Sequence, residues 1–396
     1  DAMRALEPLL SGAGPEDADA ALLKARVQLA QNDTLDAQKL ARRLATSTAV
    51  SPLVRAGAQR VLGRVSLILG EPAAARRALE PLVRQMAGVT VAPGDLEMRE
   101  QQLDTQILWA EVLLSVRPAE QNEARAILEA VVTRAPERIE ARLLLGRLLR
   151  EIQEWGLAEQ QLSAALRTDD RHLGARRELA ALLMQRGDYG KAHALYRELV
   201  KEEQDGDLLI AAARAERLDG AAEAALTTLS NVKRGRGEVA TKYDEVLLME
   251  KAGALLTLDR CGEAASLLKP LAADVPALKK PAVPALLIRA TLCASLPGER
   301  AAAAAQGRML LMRLPQPWRG DVDVRLAECE LLAATGNLLA ARLGLTALVA
   351  ALQTIPPTSI GEEVALRQYS QKLLERQMGG VAAAPAVAPR PVQPPR

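Results

Sequence analysis

His172, His193, Cys261, Cys293 and Cys329 are the residues of this sequence best suited to metal binding or nucleophilic chemistry. Their placement argues against both. His172 falls in the first turn of one predicted helix and His193 in the next, and no Asp, Ser or Cys stands at a spacing that completes a triad or a ligand set. The three cysteines are isolated, in or beside small-residue helix positions, and are expected to be buried free thiols. The glycines of Gly187-Asp188-Tyr189-Gly190 follow no strand, so they make no phosphate loop. The sequence therefore predicts no catalytic residue, no metal site and no cofactor: the chain is expected not to be an enzyme.

Charge narrows the choice further. Fifty-one Lys and Arg face 49 Asp and Glu, a net charge of +2, and a balance that even argues against a dedicated nucleic-acid binder. Lys233-Arg234-Gly235-Arg236 is a short basic loop without an aromatic platform, read as a solvated loop. No run of eighteen or more apolar residues marks a membrane span. Aromatics make up 2% of the chain and Phe is absent, so the core must be built from Ala and Leu. These residues favour close helix packing and are weak in sheets, which predicts an all-α fold. Trp109, Trp155 and Trp318 are read as packing between elements.

The elements that hold these residues repeat. Leu145 and Leu179, Gly146 and Ala180, Leu149 and Leu183, Trp155 and Tyr189, Ala158 and Ala192, and Leu162 and Tyr196 are all 34 apart, and Ala158 to Ala124 and Leu162 to Leu128 carry the offset backwards. Each unit reads as two helices around a tight turn. Apolar residues recur at helical spacing at Leu145, Leu148, Leu149 and Ile152, then at Ala158, Leu162, Ala165 and Leu166. In Gly187-Asp188-Tyr189 the glycine suits the left-handed end of the first helix and the aspartate is expected to cap the second. Small residues at Gly146, Ala158 and Ala165 let the paired helices approach closely.

This pattern resembles the tetratricopeptide repeat (TPR) family. Residues 172–205 carry it in Ala180, Gly187, Asp188, Tyr189, Ala192 and Tyr196, residues 138–171 in Gly146, Trp155, Ala158 and Ala165, and residues 104–137 in Ala124 and Pro136. The aromatic expected near the start of each unit is missing, with Arg142 and Arg176 in its place. Fainter copies are read at 18–51, 56–90, 206–232, 245–278, 282–315 and 322–356, with a half-repeat at 1–10. The resemblance implies an α-solenoid of about nine TPR-like hairpins forming a right-handed superhelix over residues 1–380. Long connections are expected at 87–98 and 231–243, a polar capping helix at about 360–378 led by Ser359 and Glu362, and a Pro/Ala-rich extended tail at 381–396.

In such repeats the first helix of each pair lines the concave face. The resemblance places Arg60, Arg64, Arg147, Arg150 and Arg177 in that groove as candidate partner-binding residues, able to grip carboxylates bidentately. It implies a non-catalytic scaffold or adaptor that binds protein partners, including acidic segments, as part of a larger complex, with neither nucleic acid nor membrane insertion. Ala, Leu and Arg richness suggests a bacterial protein. The opening helix-like segment is expected to follow removed sequence, and with the Pro-rich end it suggests a periplasmic, cell-envelope setting such as polysaccharide secretion or pilus biogenesis. The alternative is a ligand- or protein-sensing TPR domain of a cytoplasmic regulator.

Overall fold

The computed structural model describes residues 18–87, 92, 94–116, 120–203, 205–232, 238–271, 280–354, 370 and 373, with backbone alone at 238–244 and 353–354. The expected half-repeat at 1–10, the basic loop at 233–236, the tail at 381–396 and the capping helix, apart from Ser370 and Leu373, lie outside the described residues. Among those described there are eighteen α-helices and no strand. They fall into nine consecutive pairs, as the repeat spacing predicts: α1 (Ala18–Ala30) with α2 (Thr34–Thr46), α3 (Pro52–Ile68) with α4 (Pro72–Met86), α5 (Leu96–Val116) with α6 (Gln121–Arg134), α7 (Ile139–Glu151) with α8 (Trp155–Thr168), α9 (Leu173–Arg186) with α10 (Tyr189–Glu202), α11 (Gly206–Leu218) with α12 (Ala222–Ser230), α13 (Glu238–Thr257) with α14 (Cys261–Leu268), α15 (Ala282–Ala294) with α16 (Arg300–Met312), and α17 (Val322–Ala334) with α18 (Leu338–Thr354). No helix of the described residues is long and apolar enough to cross a membrane.

One local rule builds seven of these hairpins. The chain leaves the first helix through a residue in the left-handed region, and five residues later a fully buried alanine seats the second helix. The pairs are Asn32 and Ala37, Gly70 and Ala75, Gln153 and Ala158, Gly187 and Ala192, Gly220 and Ala225, Asp259 and Ala264, and Gly336 and Ala341. Glycine is the residue that adopts this conformation without strain, and Asn and Asp tolerate it. Gln153, at φ 74°, has no such excuse and holds its turn at a cost. The alanines allow close approach because a larger side chain would force the helices apart.

Glycine does the same from the first helix. A Cβ on Gly63 would stand 2.8 Å from Leu79 Cγ, and one on Gly146 would stand 2.8 Å from Leu162 Cγ. In both hairpins the leucine follows its glycine by sixteen residues, so one packing solution is used twice.

Contacts divide the chain into two compact units, residues 1–178 and 179–396, with the division inside α9. In unit 1, α1, α3 and α5 each touch the next first-of-pair helix while α2, α4 and α6 bridge them. The buried core is Ala, Val and Leu, as in the cluster of Leu22, Ala25, Ala37, Ala41, Leu44, Val54 and Val61. In unit 2 the corresponding row is α11, α13, α15 and α17. Burial of such clusters contributes roughly 25 cal/mol per Å² of apolar surface, which is what holds a stack whose members touch only their neighbours.

Paired charges also link successive hairpins of unit 1. Arg76, directly after Ala75, donates from Nη1 to both carboxylate oxygens of Glu120 at 2.8 and 2.9 Å, and it lies 5.7 Å from the Trp109 ring centroid. Arg125, directly after Ala124, grips Glu154 bidentately, Nη1 and Nη2 each reaching one carboxylate oxygen at 2.6 and 3.0 Å.

Two local expectations need correction. Asp188 precedes α10 but makes no capping hydrogen bond with its side chain; it forms an ion pair instead with Arg186 at 2.8 Å. The expected connection at 231–243 is shorter, because α13 begins at Glu238. Residues 238–243 contain neither Gly nor Pro to keep them out of a helix.

Candidate functional site

The five arginines singled out in the sequence do not form one site. Arg60 and Arg64, a turn apart on α3, line a cleft of about 390 Å³ in unit 1 together with residues of α1, α5 and the start of α7. Arg64 is held there by an ion pair with Glu111 of α5. Arg60 is 7% exposed, and among the described residues its one hydrogen bond goes to Thr105 Oγ1 at 3.4 Å. Arg147 and Arg150 lie on α7. Arg147 is exposed and pairs along its own helix with Glu151 at 3.4 Å, whereas Arg150 reaches Glu178 of α9 at 3.2 Å. Arg177 is half-buried on α9. Neither cleft described here is lined by Arg147, Arg150 or Arg177. Several of the guanidinium groups expected to await a partner thus already tie one helix to the next.

A larger cleft, about 800 Å³, lies in unit 2. Its walls come from the first helices of successive pairs, α11, α13, α15 and α17, and include Leu218, Met249, Leu256, Leu286 and Leu292. Polar groups are set among these by ion pairs. Glu250 of α13 is only 4% exposed and sits between Arg214 and Arg217 of α11, 2.7 Å from Arg214 Nε and 3.1 Å from Arg217 Nη2. Burial pushes its carboxyl upward, but the two arginines outweigh burial and hold it below the ordinary carboxylate value. Gly253, one turn on, leaves space for Arg217: a Cβ there would stand 3.3 Å from its Nε. Arg289 of α15 pairs with Glu330 of α17 at 3.4 Å. None of these residues was singled out from the sequence. The signal was there in Glu250, an acid at a helical position flanked by Val246, Leu247, Leu248 and Met249.

The cysteines require a correction. Cys261 and Cys293, expected as isolated free thiols, form a disulfide with a Cα–Cα distance of 5.7 Å. It joins the start of α14 to the end of α15, at the rim of the larger cleft. Two cysteines 32 apart occupy facing positions of adjacent repeats, a relation that a spacing close to the repeat period encodes. Cys329 is buried and free, as expected, and burial pushes its thiol up to about 11. Asp259 lies beside the disulfide with a carboxylate oxygen within 4.8 Å of both sulfurs, but these are bonded to each other.

The histidines are positioned by their neighbours. His172 Nδ1 accepts a hydrogen bond from the Ala175 backbone N–H at 3.2 Å and so caps α9. His193 Nδ1 lies 2.8 Å from Asp219 Oδ2, a partner that sequence spacing hid because it stands in the turn of the following hairpin. Among the described residues no hydroxyl or thiol is hydrogen-bonded to either ring. Trp109 is buried, and Trp318 packs on the core that includes Ile288 and Leu331.

Against this geometry the comparisons with known proteins are informative for fold. The quorum sensor NprR of B. thuringiensis, in its apo form, matches 92% of this chain and 99% of its own with a TM-score of 0.55 at 11% identity. A tetratricopeptide repeat protein from Parabacteroides merdae matches 70% of this chain and 99% of its own, with a TM-score of 0.44 at 17% identity. The chain has the tetratricopeptide-repeat fold. PilF of Pseudomonas aeruginosa, another similar structure, matches 59% of this TPR chain and 99% of its own, with a TM-score of 0.41 at 18% identity. No family model and no curated relative matches the sequence. The fold therefore rests on the hairpin geometry together with the likeness to NprR.

Proposed function

We propose that this protein is a non-catalytic docking scaffold that holds a protein partner along the row of first-of-pair helices, in an oxidising, cell-envelope compartment of a bacterium. The observation that carries the docking reading is the unit 2 cleft. Its walls set Leu218, Met249, Leu256, Leu286 and Leu292 among charged side chains, its buried acid is neutralised by Arg214 and Arg217, and its ion pairs hold side chains in place before anything binds. A surface ordered in advance lowers the conformational cost of association. Glu250 with Arg217, and Arg289 with Glu330, are consumed by one another rather than aimed at a reacting centre, which favours holding over chemistry.

The compartment reading rests on the Cys261–Cys293 disulfide. Such bonds persist in secreted and periplasmic proteins and are rare where cytosolic thiols are kept reduced. Polysaccharide secretion or pilus assembly are settings that suit an envelope scaffold. The second reading, a sensing TPR domain of a cytoplasmic regulator, has in its favour the fold shared with a quorum sensor and against it the same disulfide.

The test is site-specific photo-crosslinking in the native cell, with the crosslinking residue placed at Leu256 in the unit 2 cleft or at Thr227 on α12. A discrete adduct from Leu256 and none from Thr227 is expected. Adducts from Thr227 alone would move docking to the opposite face, and fractionation with the cytoplasm would remove the envelope reading.

A further inference from the structure

Arg60 is a poorly compensated charge of unit 1. It is only 7% exposed, yet among the described residues its single hydrogen bond is a long one to a neutral hydroxyl, Thr105 Oγ1 at 3.4 Å. That hydroxyl already donates to the Gln101 carbonyl at 2.7 Å. A buried cation without a paired anion is normally avoided, because desolvation is costly unless an opposite charge restores it. Here a neighbouring charge makes matters worse. Arg26 of α1 repels Arg60, and burial with that repulsion lowers the Arg60 pKa, with Asp104 only partly opposing them. Arg26 itself makes no ion pair among the described residues.

Both guanidinium groups face the 390 Å³ cleft. The other charges around it are spoken for or peripheral. Arg64 is bound to Glu111, and Arg138 to Glu100 and, at 3.3 Å, to Asp104. Burial raises the Asp104 carboxyl against the pull of Arg60 and Arg26, so it is a reluctant counter-charge. Glu140 is exposed at the edge. Space beside Arg26 is secured by Gly57, where a Cβ would meet Leu22 Cδ2 at 2.5 Å and stand 3.5 Å from Arg26 Nη2.

We propose that this cleft is an oxyanion site in which Arg26 and Arg60 grip a carboxylate or an equivalent oxyanion. An incoming anion supplies what Arg60 lacks, and two guanidinium forks converging on one cavity suit a planar, two-oxygen acceptor. The anion has two possible sources: an acidic side chain of a docked protein, or a free inorganic oxyanion. The first source rests on the docking reading and deepens it; the second does not need it.

The experiment uses the full chain at low ionic strength with two probes, an acetylated hexaglutamate peptide and sodium sulfate, each titrated by calorimetry. Saturable one-to-one binding of at least one probe is expected, weakened about tenfold or more in R60M and in R26M and unchanged in R147M. Tighter binding of the peptide assigns the site to a partner carboxylate, and equal or tighter binding of sulfate assigns it to a free anion. R60M removes a buried, uncompensated charge and keeps its bulk, so its Tm should equal or exceed that of the wild type. Absence of saturable binding of both probes, or wild-type affinity in R60M, overturns the proposal. Should R60M lose both binding and Tm, the exposed Arg26 decides: full affinity in R26M overturns the site. Because the docking reading is tested in unit 2 by crosslinking, either can fail without the other.

Discussion

Breaking the Cys261–Cys293 bond should weaken unit 2 selectively, by an amount that the sequence separation sets. The bond closes a loop of 32 residues. In the loop-closure account, a cross-link of that span removes about 12 cal/mol/K of entropy from the unfolded chain, or about 4 kcal/mol near room temperature. Hydrophobic contacts between α14 and α15 survive reduction, so the folded state should change little and the loss should fall on the unfolded side. The tryptophans make the effect separable. Trp109 and Trp155 lie in unit 1, while Trp318 packs on a cluster that contains Ala285, Ile288 and Leu292 of α15. In a Trp109→Phe, Trp155→Phe background, fluorescence reports unit 2 alone. With a urea dependence of about 3 kcal/mol/M, the Trp318 transition should move down by about 1 M on reduction or in C261S. Circular dichroism of the whole chain should show a second, unmoved transition from unit 1. Coincident Trp318 midpoints with and without reductant would refute the entropic argument. Three titratable thiols in unreduced, denatured protein, instead of one, would refute the bond itself.

Four further outcomes are expected. Cys329, buried with its thiol pushed up to about 11, should resist iodoacetamide in the native protein at pH 8 and react on unfolding, as mass spectrometry can read. Glu250 is held below its ordinary value of 4.5, so its contribution is present above that pH and is lost as pH falls through the folded value; unit 2 should therefore lose stability on acidification below about 4.5, and E250Q should cost about 3 kcal/mol at neutral pH and flatten that dependence in urea titrations. Gly146→Ala would gain about 1 kcal/mol from helix propensity alone, but its Cβ would press on Leu162 Cγ at 2.8 Å, so we expect a net loss of about 1 kcal/mol by thermal denaturation. Gln153→Gly should instead raise stability by up to about 1 kcal/mol in the same assay, because φ 74° strains glutamine and not glycine.

Most of the fold was legible because the hairpin is encoded locally. Gly70, Gly187, Gly220 and Gly336 announce their turns by residue type, and the alanine that follows each announces the close approach. The turns at Gln153 and Asp259 carry the same geometry without glycine, so there the register is fixed by packing of Ala158 and Ala264 rather than by the turn residue. The candidate site was less legible, since it depends on pairings between repeats. Arg60 and Arg64 stand one helical turn apart and look equivalent in the sequence, yet Glu111 satisfies Arg64 while Arg60 meets only Thr105. The 45 residues between Arg60 and Thr105 are longer than one repeat, and no period predicts which side chain of the next hairpin will arrive.

The same separation explains how one architecture can present two different clefts. Each hairpin uses its alanines and glycines for internal packing, and that grammar barely varies. The side chains facing along the row of first helices are then free to differ from repeat to repeat. In unit 2 they cancel, with Arg214 and Arg217 closing on Glu250 and leaving Leu256 and Met249 to define an apolar wall. In unit 1 they do not cancel: Arg60 is buried against Arg26 while Asp104 is shared with Arg138. A scaffold whose stability is close to a sum of neighbour terms can tolerate one such unfavourable site, because the cost stays local to α1, α3 and α5. Stability given up at one point of an otherwise regular array is where selection for binding, rather than for folding, has the simpler account.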